Sequence, residues 1–313
     1  MGVLKRYNSD NIDWNIGALY SHDEYIQKLF IVMKELGLVN PIKYVFGTIP
    51  TVLVGGRVTP KDTSSIEEAF NIIDRYNQLG VGCRLTFSSM YVTKDELKDS
   101  VSNQLMKHLE GNNQKYGVRM NGIILTSELL GEYIYNNYNS LELISSQVKP
   151  SVEVGLGKDN VDYYNRLFDL FDIVVVNPNK WMDAHIIHGL KHIDRVEFIT
   201  NHRCFPDCPM AGEHYKAQVD LSKKLLSGGD CSLEEAKLDT INTWCLDVRE
   251  RFPLLGVSMS ESEINLLIDN GVKHFKLEGR DNDTFCFLRD IGDYIFNNQY
   301  FSRIAHSIMG EAI

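Results

Sequence analysis

The chain has 313 residues, 43% hydrophobic and 24% charged, an ordinary globular composition that excludes a disordered or collagenous chain. Its 42 acidic and 32 basic residues leave a net charge of -10, which disfavours nucleic acid as the main partner because a phosphate backbone needs a basic face. No stretch approaches the ~20 apolar residues of a membrane span. The opening MGVLKRYNSDNIDW is too polar for a signal peptide, and six cysteines are too sparse for a disulfide scaffold. A cytoplasmic location without a membrane partner is the expectation.

Residues 1–40, with a helix over 23–36, read as an N-terminal helical extension packed on the bottom of a single domain spanning 41–313. Short β-rich apolar runs follow at 42–49, 81–88, 121–126, 151–155, 173–177, 196–201, 254–259 and 274–277. Helical patterns lie between them at 65–79, 94–110, 127–135, 161–170, 181–190 and 260–270. Ser260 with Glu263 three residues on is a capping box. Strands alternating with helices imply βαβ units and a parallel sheet. Eight such strands predict a (β/α)8 TIM-like barrel, for which about 250 residues is typical; an open eight-stranded sheet is the alternative.

In such a barrel the chemistry sits where strands end. The sixth run leads into NHRCFPDCPMAGEHY, residues 201–215, in which Cys204 and Cys208 are separated by three residues and Pro206 and Pro209 stiffen the turn. Cys231 and Cys245 follow before the next strand, giving C-x3-C-x22-C-x13-C. Four thiolates suit zinc or an iron–sulfur cluster equally well by softness, and packing is the bland reading for any cysteine. Cys83 points toward the helices by alternation, and Cys286 sits on an amphipathic helix; both are excluded from the site. His214 is an alternative ligand or a loop cap. His185, His188 and His192 read as a solvated or half-buried helix face.

The last strand reads HFKLEGR. Period-two alternation places Phe275 and Leu277 on one side and Lys276, Glu278 and Arg280 on the other. The charged side then faces the barrel interior or mouth, where buried charges must be paired. Arg84 on the second run and Glu153 on the fourth are the candidate partners, and Arg57 beyond the Gly55-Gly56 turn is a candidate anion contact. Either an interior ion-pair network or a substrate-binding role accounts for these groups.

Three segments, FGTIPTVLVGGR, N-x2-C-x3-C-P-x4-H-Y and FKLEGR, resemble the collagenase-like peptidase family (peptidase family U32), especially its short single-domain members. The resemblance runs in order from about Lys43 to Asn298. It implies the barrel and, as in several members, a 4Fe-4S cluster held by four cysteines and used in hydroxylation-type chemistry. By motif, Cys204 and Cys208 fall on the family's cysteine loop, Cys231 and Cys245 occupy the corresponding region, and Lys276, Glu278 and Arg280 match its charged strand.

The expectation is an iron–sulfur enzyme, or enzyme subunit, modifying a small molecule or nucleic acid. Asn201, Glu278 and Arg280 are its catalytic candidates; Arg57, Arg84, Glu153 and Lys276 are its substrate-binding ones. Its ligand lies at the barrel mouth, with room for a redox or heteromeric partner. The alternatives are a metal-dependent hydrolase or peptidase, for which no Ser-His or Cys-His pair stands out, and a non-catalytic barrel with a structural zinc knot.

Overall fold

The computed structural model describes residues 7, 12–55, 65–117, 119–154, 158–204, 208–252, 256–279, 283–296, 301, 304 and 308. Strands and helices alternate from β1 (Asp13–Ile16) and α1 (Asp23–Glu35) through β2 (Ile42–Gly47), α2 (Ile66–Gln78), β3 (Gly82–Phe87) and α3 (Ser100–Tyr116). Then come β4 (Gly122–Leu125), α4 (Glu128–Asn137), β5 (Glu142–Ser145), α5 (Val148–Glu153), α6 (Val161–Leu167) and β6 (Val174–Val175). The chain continues with α7 (Ala184–Gly189), β7 (Val196–Ile199), α8 (Ala211–Leu226), α9 (Ser232–Arg251), α10 (Glu261–Asp269), β8 (His274–Leu277) and α11 (Thr284–Ile295).

All paired strands are parallel, in the order β5-β4-β3-β2-β1-β8-β7-β6. The two outer members meet through a bridge between Ile144 and Ile173, with Ser145 N donating to the Ile173 carbonyl at 2.9 Å. The sheet is thus a nearly closed (β/α)8 barrel. Outward side chains such as Val45, Leu85, Ile123, Phe198, Phe275 and Leu277 are buried in the main core, as alternation requires. Helix starts are set by local chemistry: Ser65 caps α2 by accepting from Glu68 N, and the capping box forms at Ser260 and Glu263.

Two of the eight expected strands are replaced. The run 151–155 is not a strand, because its first residues lie in α5, where Pro150 sits in the first turn and is tolerated there. Residues 256–259 form no strand. β1 and β5 take their places. Both are short and carry acidic or amide side chains, Asp13, Asn15 and Glu142, which belong inside the barrel and so mask the apolar signal. Residues 12–40 therefore supply the first βα unit of the barrel, which corrects the reading of 1–40 as an added extension.

Inside the barrel, Phe46, Ile124, Ile144, Ile173, Val175 and Ile199 form a separate apolar cluster. Toward the N-terminal ends of the strands lies a charged layer. Arg84, fully buried, donates to Glu142 Oε2 at 2.7 Å and to Glu197 Oε2 at 3.0 Å, and its guanidinium lies 3.6 Å over the Tyr44 ring. Asn15 Nδ2 adds a 3.1 Å bond to Glu197. Burial opposes the Arg84 charge, yet Glu142 and Glu197 more than offset this and raise its pKa above the ordinary value. Burial also pushes the Tyr44 phenol up to about 12. Lys276 extends the network toward the mouth, 3.8 Å from Glu197 Oε1 and 4.0 Å above the Phe46 ring.

Candidate active site at the barrel mouth

The C-terminal ends of β7 and β8 are locked together by one side chain. Asn201 Nδ2 donates to the Glu278 carbonyl, and Glu278 N donates to Asn201 Oδ1, both at 2.7 Å. This clamp presents the Glu278 carboxylate to the next residue of the β7 loop, and His202 Nδ1 lies 3.1 Å from Glu278 Oε2. Cys204, two residues on, lies within electrostatic reach of the His202 ring. Burial disfavours the imidazolium, but Glu278 and Cys204 overcome it, and the His202 pKa is pushed up to about 9.

The turn after Glu278 is held from below by His22. Its two ring nitrogens lie 3.3 Å from the Gly279 carbonyl and 3.2 Å from Thr284 Oγ1, and the ring stacks on Phe287. A carbonyl only accepts, so Nε2 carries the proton and Nδ1 accepts from the hydroxyl. Burial lowers the His22 pKa, which keeps that neutral form.

His202, Cys204, Glu278 and Lys276 all line a cavity of about 350 Å³. Gln147 after β5 and Tyr215 and Gln218 of α8 form further walls. The volume is in the range of small-molecule sites.

The sequence-derived residues divide by place. Glu278 and Lys276 face the cavity, whereas Asn201 acts on the backbone beneath it. Arg84 is interior, paired with Glu142 and Glu197 rather than lining the cavity. Glu153 lies on α5, not on a strand, and binds Lys149, Tyr163 and Arg166. Arg57 and Arg280 lie outside the described residues.

The four cysteines do not converge. Cys231 stands at the N-cap position of α9 and donates its thiol to the Gly229 carbonyl at 3.3 Å. Cys245 lies fourteen residues farther along the same helix, about 21 Å at 1.5 Å per residue. No single cluster spans that distance. Cys208 does lie within electrostatic reach of Cys204 and Cys245; burial pushes its thiol up, and both neighbours add to the effect. Among the described residues no group of three or more His, Cys, Asp or Glu is arranged to hold a metal ion. The residues as placed do not fit the four-cysteine cluster.

His202 is the residue that sequence reasoning passed over. It stands two positions before Cys204 in NHRC, so an H-x-C spacing at a strand end was the available signal. Glu197 and Glu142 were also missed as the partners of Arg84. His214 meets Gln218 at 2.9 Å on α8.

Fold and mouth together define a (β/α)8 barrel protein with its polar site at the C-terminal face, where barrel enzymes carry their chemistry. Among solved structures the chain is similar to the U32 peptidase Mk0906, with a TM-score of 0.54, 12% identity, and coverage of 89% of this chain and 96% of that one. It also matches a GH113 β-1,4-mannanase at a TM-score of 0.39 and 10% identity, covering 98% of this chain and 100% of that one. No protein-family profile and no curated protein sequence matches the chain. The peptidase likeness extends to the barrel fold. No helix among the described residues is long and apolar enough to cross a membrane.

Proposed function

We propose that this barrel is a hydrolase acting by acyl transfer, with Cys204 as nucleophile, His202 as acid and base, and Glu278 as the group that orients His202. The observation that carries the reading is the His202 ring, 3.1 Å from the Glu278 carboxylate, with Cys204 lining the same cavity two residues on. A nucleophile, a base within hydrogen-bond reach and a third group orienting the base are the parts that covalent acyl transfer needs. The name of the structural neighbour, a peptidase, is in keeping with hydrolysis.

In this scheme an imidazolium beside the thiol favours the thiolate. The thiolate attacks the substrate carbonyl carbon, and a C–S bond forms. The C–N or C–O bond breaks as His202 gives its proton to the leaving group. Neutral His202 then takes a proton from the water that attacks the thioester, the acid departs, and the thiolate–imidazolium pair is restored. Lys276 and Gln147 line the same cavity.

What separates this reading from the iron–sulfur expectation is the placement of Cys231. Purification without oxygen, metal analysis and assay on small chromogenic esters and amides test it. The proposal expects turnover that is lost in Cys204→Ser and His202→Gln without bound iron. About four irons with labile sulfide per chain, lost on changing Cys204 or Cys208, overturn it.

A further inference from the structure

The segment between β7 and β8 forms a helical hairpin that crosses the mouth. α8 begins beside the Cys204–Cys208 loop at the end of β7. Its 16 residues span about 24 Å, enough to cross a barrel mouth. In the ring of strands β3 is opposite β7, and α8 reaches that side. Lys223 Nζ lies 2.7 Å from Glu96 Oε1 and donates to the Tyr91 carbonyl at 2.6 Å, both in the segment after β3. Just past its first turn, the Tyr215 hydroxyl accepts from Gln147 Nε2 at 3.1 Å, in the loop after β5. Tyr215 and Gln218, three apart and so on one helix face, line the cavity from above.

The crossing is held by polar contacts. The buried residues of α8 are Ala217, Gln218, Val219 and Ser222, small or polar apart from the valine. α9 packs along α8, and Ile241 is its one buried residue. On the β7 side the Arg249 guanidinium donates to the Arg203 carbonyl at 3.2 Å. At the far end of α8, Lys223 and Glu96 are three-quarters covered.

We infer that α8 is a roof that confines the site to small free acyl compounds and keeps polypeptide segments away from Cys204, with the Lys223–Glu96 pair as the contact that sets this limit. The inference rests on the reading of Cys204 as the reactive thiol. It narrows the substrate from acyl compounds in general to those that fit beneath α8. An extended peptide in a groove needs its two ends to leave the site, and α8 lies across that path.

The test compares two reagents with one warhead, N-ethylmaleimide and a maleimide carried on polyethylene glycol, on the folded full chain. Loss of the unmodified Cys204 peptide is followed by mass spectrometry. The expected result is labelling of Cys204 by the small reagent at least about 10-fold faster than by the large one. Lys223→Met and, separately, Glu96→Gln raise the large reagent's rate at least about 3-fold and leave the small one's within about 2-fold. Equal rates of the two reagents on the wild type overturn the roof and leave the thiol reading standing. Unchanged rates in both variants overturn the role of the Lys223–Glu96 pair. Inertness of Cys204 to N-ethylmaleimide in the wild type and both variants overturns the thiol reading and the inference with it.

Discussion

Asn201 and Glu278 exchange two 2.7 Å hydrogen bonds, side chain to backbone, across the ends of neighbouring strands. The pair fixes where β8 stops and aims the Glu278 carboxylate at His202. Asn201 thus acts through Glu278 and is a positioning residue. Removing it relaxes the carboxylate while leaving Cys204 and His202 in the chain. Asn201→Ala is expected to lower kcat about 10- to 100-fold with KM little changed, the scale of a roughly 1 Å misplacement. Steady-state kinetics on a small ester, with circular dichroism to confirm folding, checks this; an equal loss through KM alone would place Asn201 in substrate binding.

The His202–Glu278 pair also makes stability depend on pH. The folded His202 pKa, pushed up to about 9 against an ordinary value of 6.5, means that the folded state holds a proton the unfolded chain releases sooner. The stabilisation is complete below about pH 6.5 and is lost as pH rises through about 9, with an upper bound on the order of 3 kcal/mol. Urea unfolding between pH 6 and 10 should show that decline in the wild type and a flatter profile in Glu278→Gln. Parallel profiles for the two proteins would show that the carboxylate does not hold the imidazolium.

Arg84 pairs with two carboxylates inside the barrel. Truncating one partner of a buried pair costs about 3–5 kcal/mol because the other charges stay behind unpaired. Arg84→Met is expected to fall in that range by urea denaturation, and adding Glu197→Gln in the same chain should recover part of the loss. A loss below about 1 kcal/mol for Arg84→Met alone would mean that water reaches the charged layer.

Cys231 stands apart from the other thiols of its segment. Cys231→Ser is therefore expected to leave esterase activity within about 2-fold, read by steady-state kinetics on a small ester. Loss of bound iron in this variant would instead join Cys231 to a shared centre.

The barrel was legible because most strands carry apolar side chains on their outward face and helices announce themselves by caps such as Ser65 and Ser260. β1 and β5 were not, because DWNI and ELIS place Asn15 and Glu142 where a barrel strand ordinarily shows Val or Ile. Alternation in HFKL did place Lys276 inside. Its partner Glu197 could not be read, since the strand expected at 254–259 stood between the two runs that in fact pair as β7 and β8. The spacing of Cys204, Cys208, Cys231 and Cys245 resembles a chelating loop in one dimension. In space it is a hairpin of two long helices, and the x13 interval became nearly four helical turns.

The central claim is that Cys204, served by His202, forms a covalent acyl intermediate. The most direct measurement is to mix the purified chain with p-nitrophenyl acetate, quench within seconds and map the acetyl group by peptide mass spectrometry. The account predicts one acetyl group on Cys204, absent in Cys204→Ser and reduced at least about 100-fold in rate in His202→Gln. Acetylation spread over surface lysines, or equal acetylation of Cys204 in His202→Gln, would contradict it.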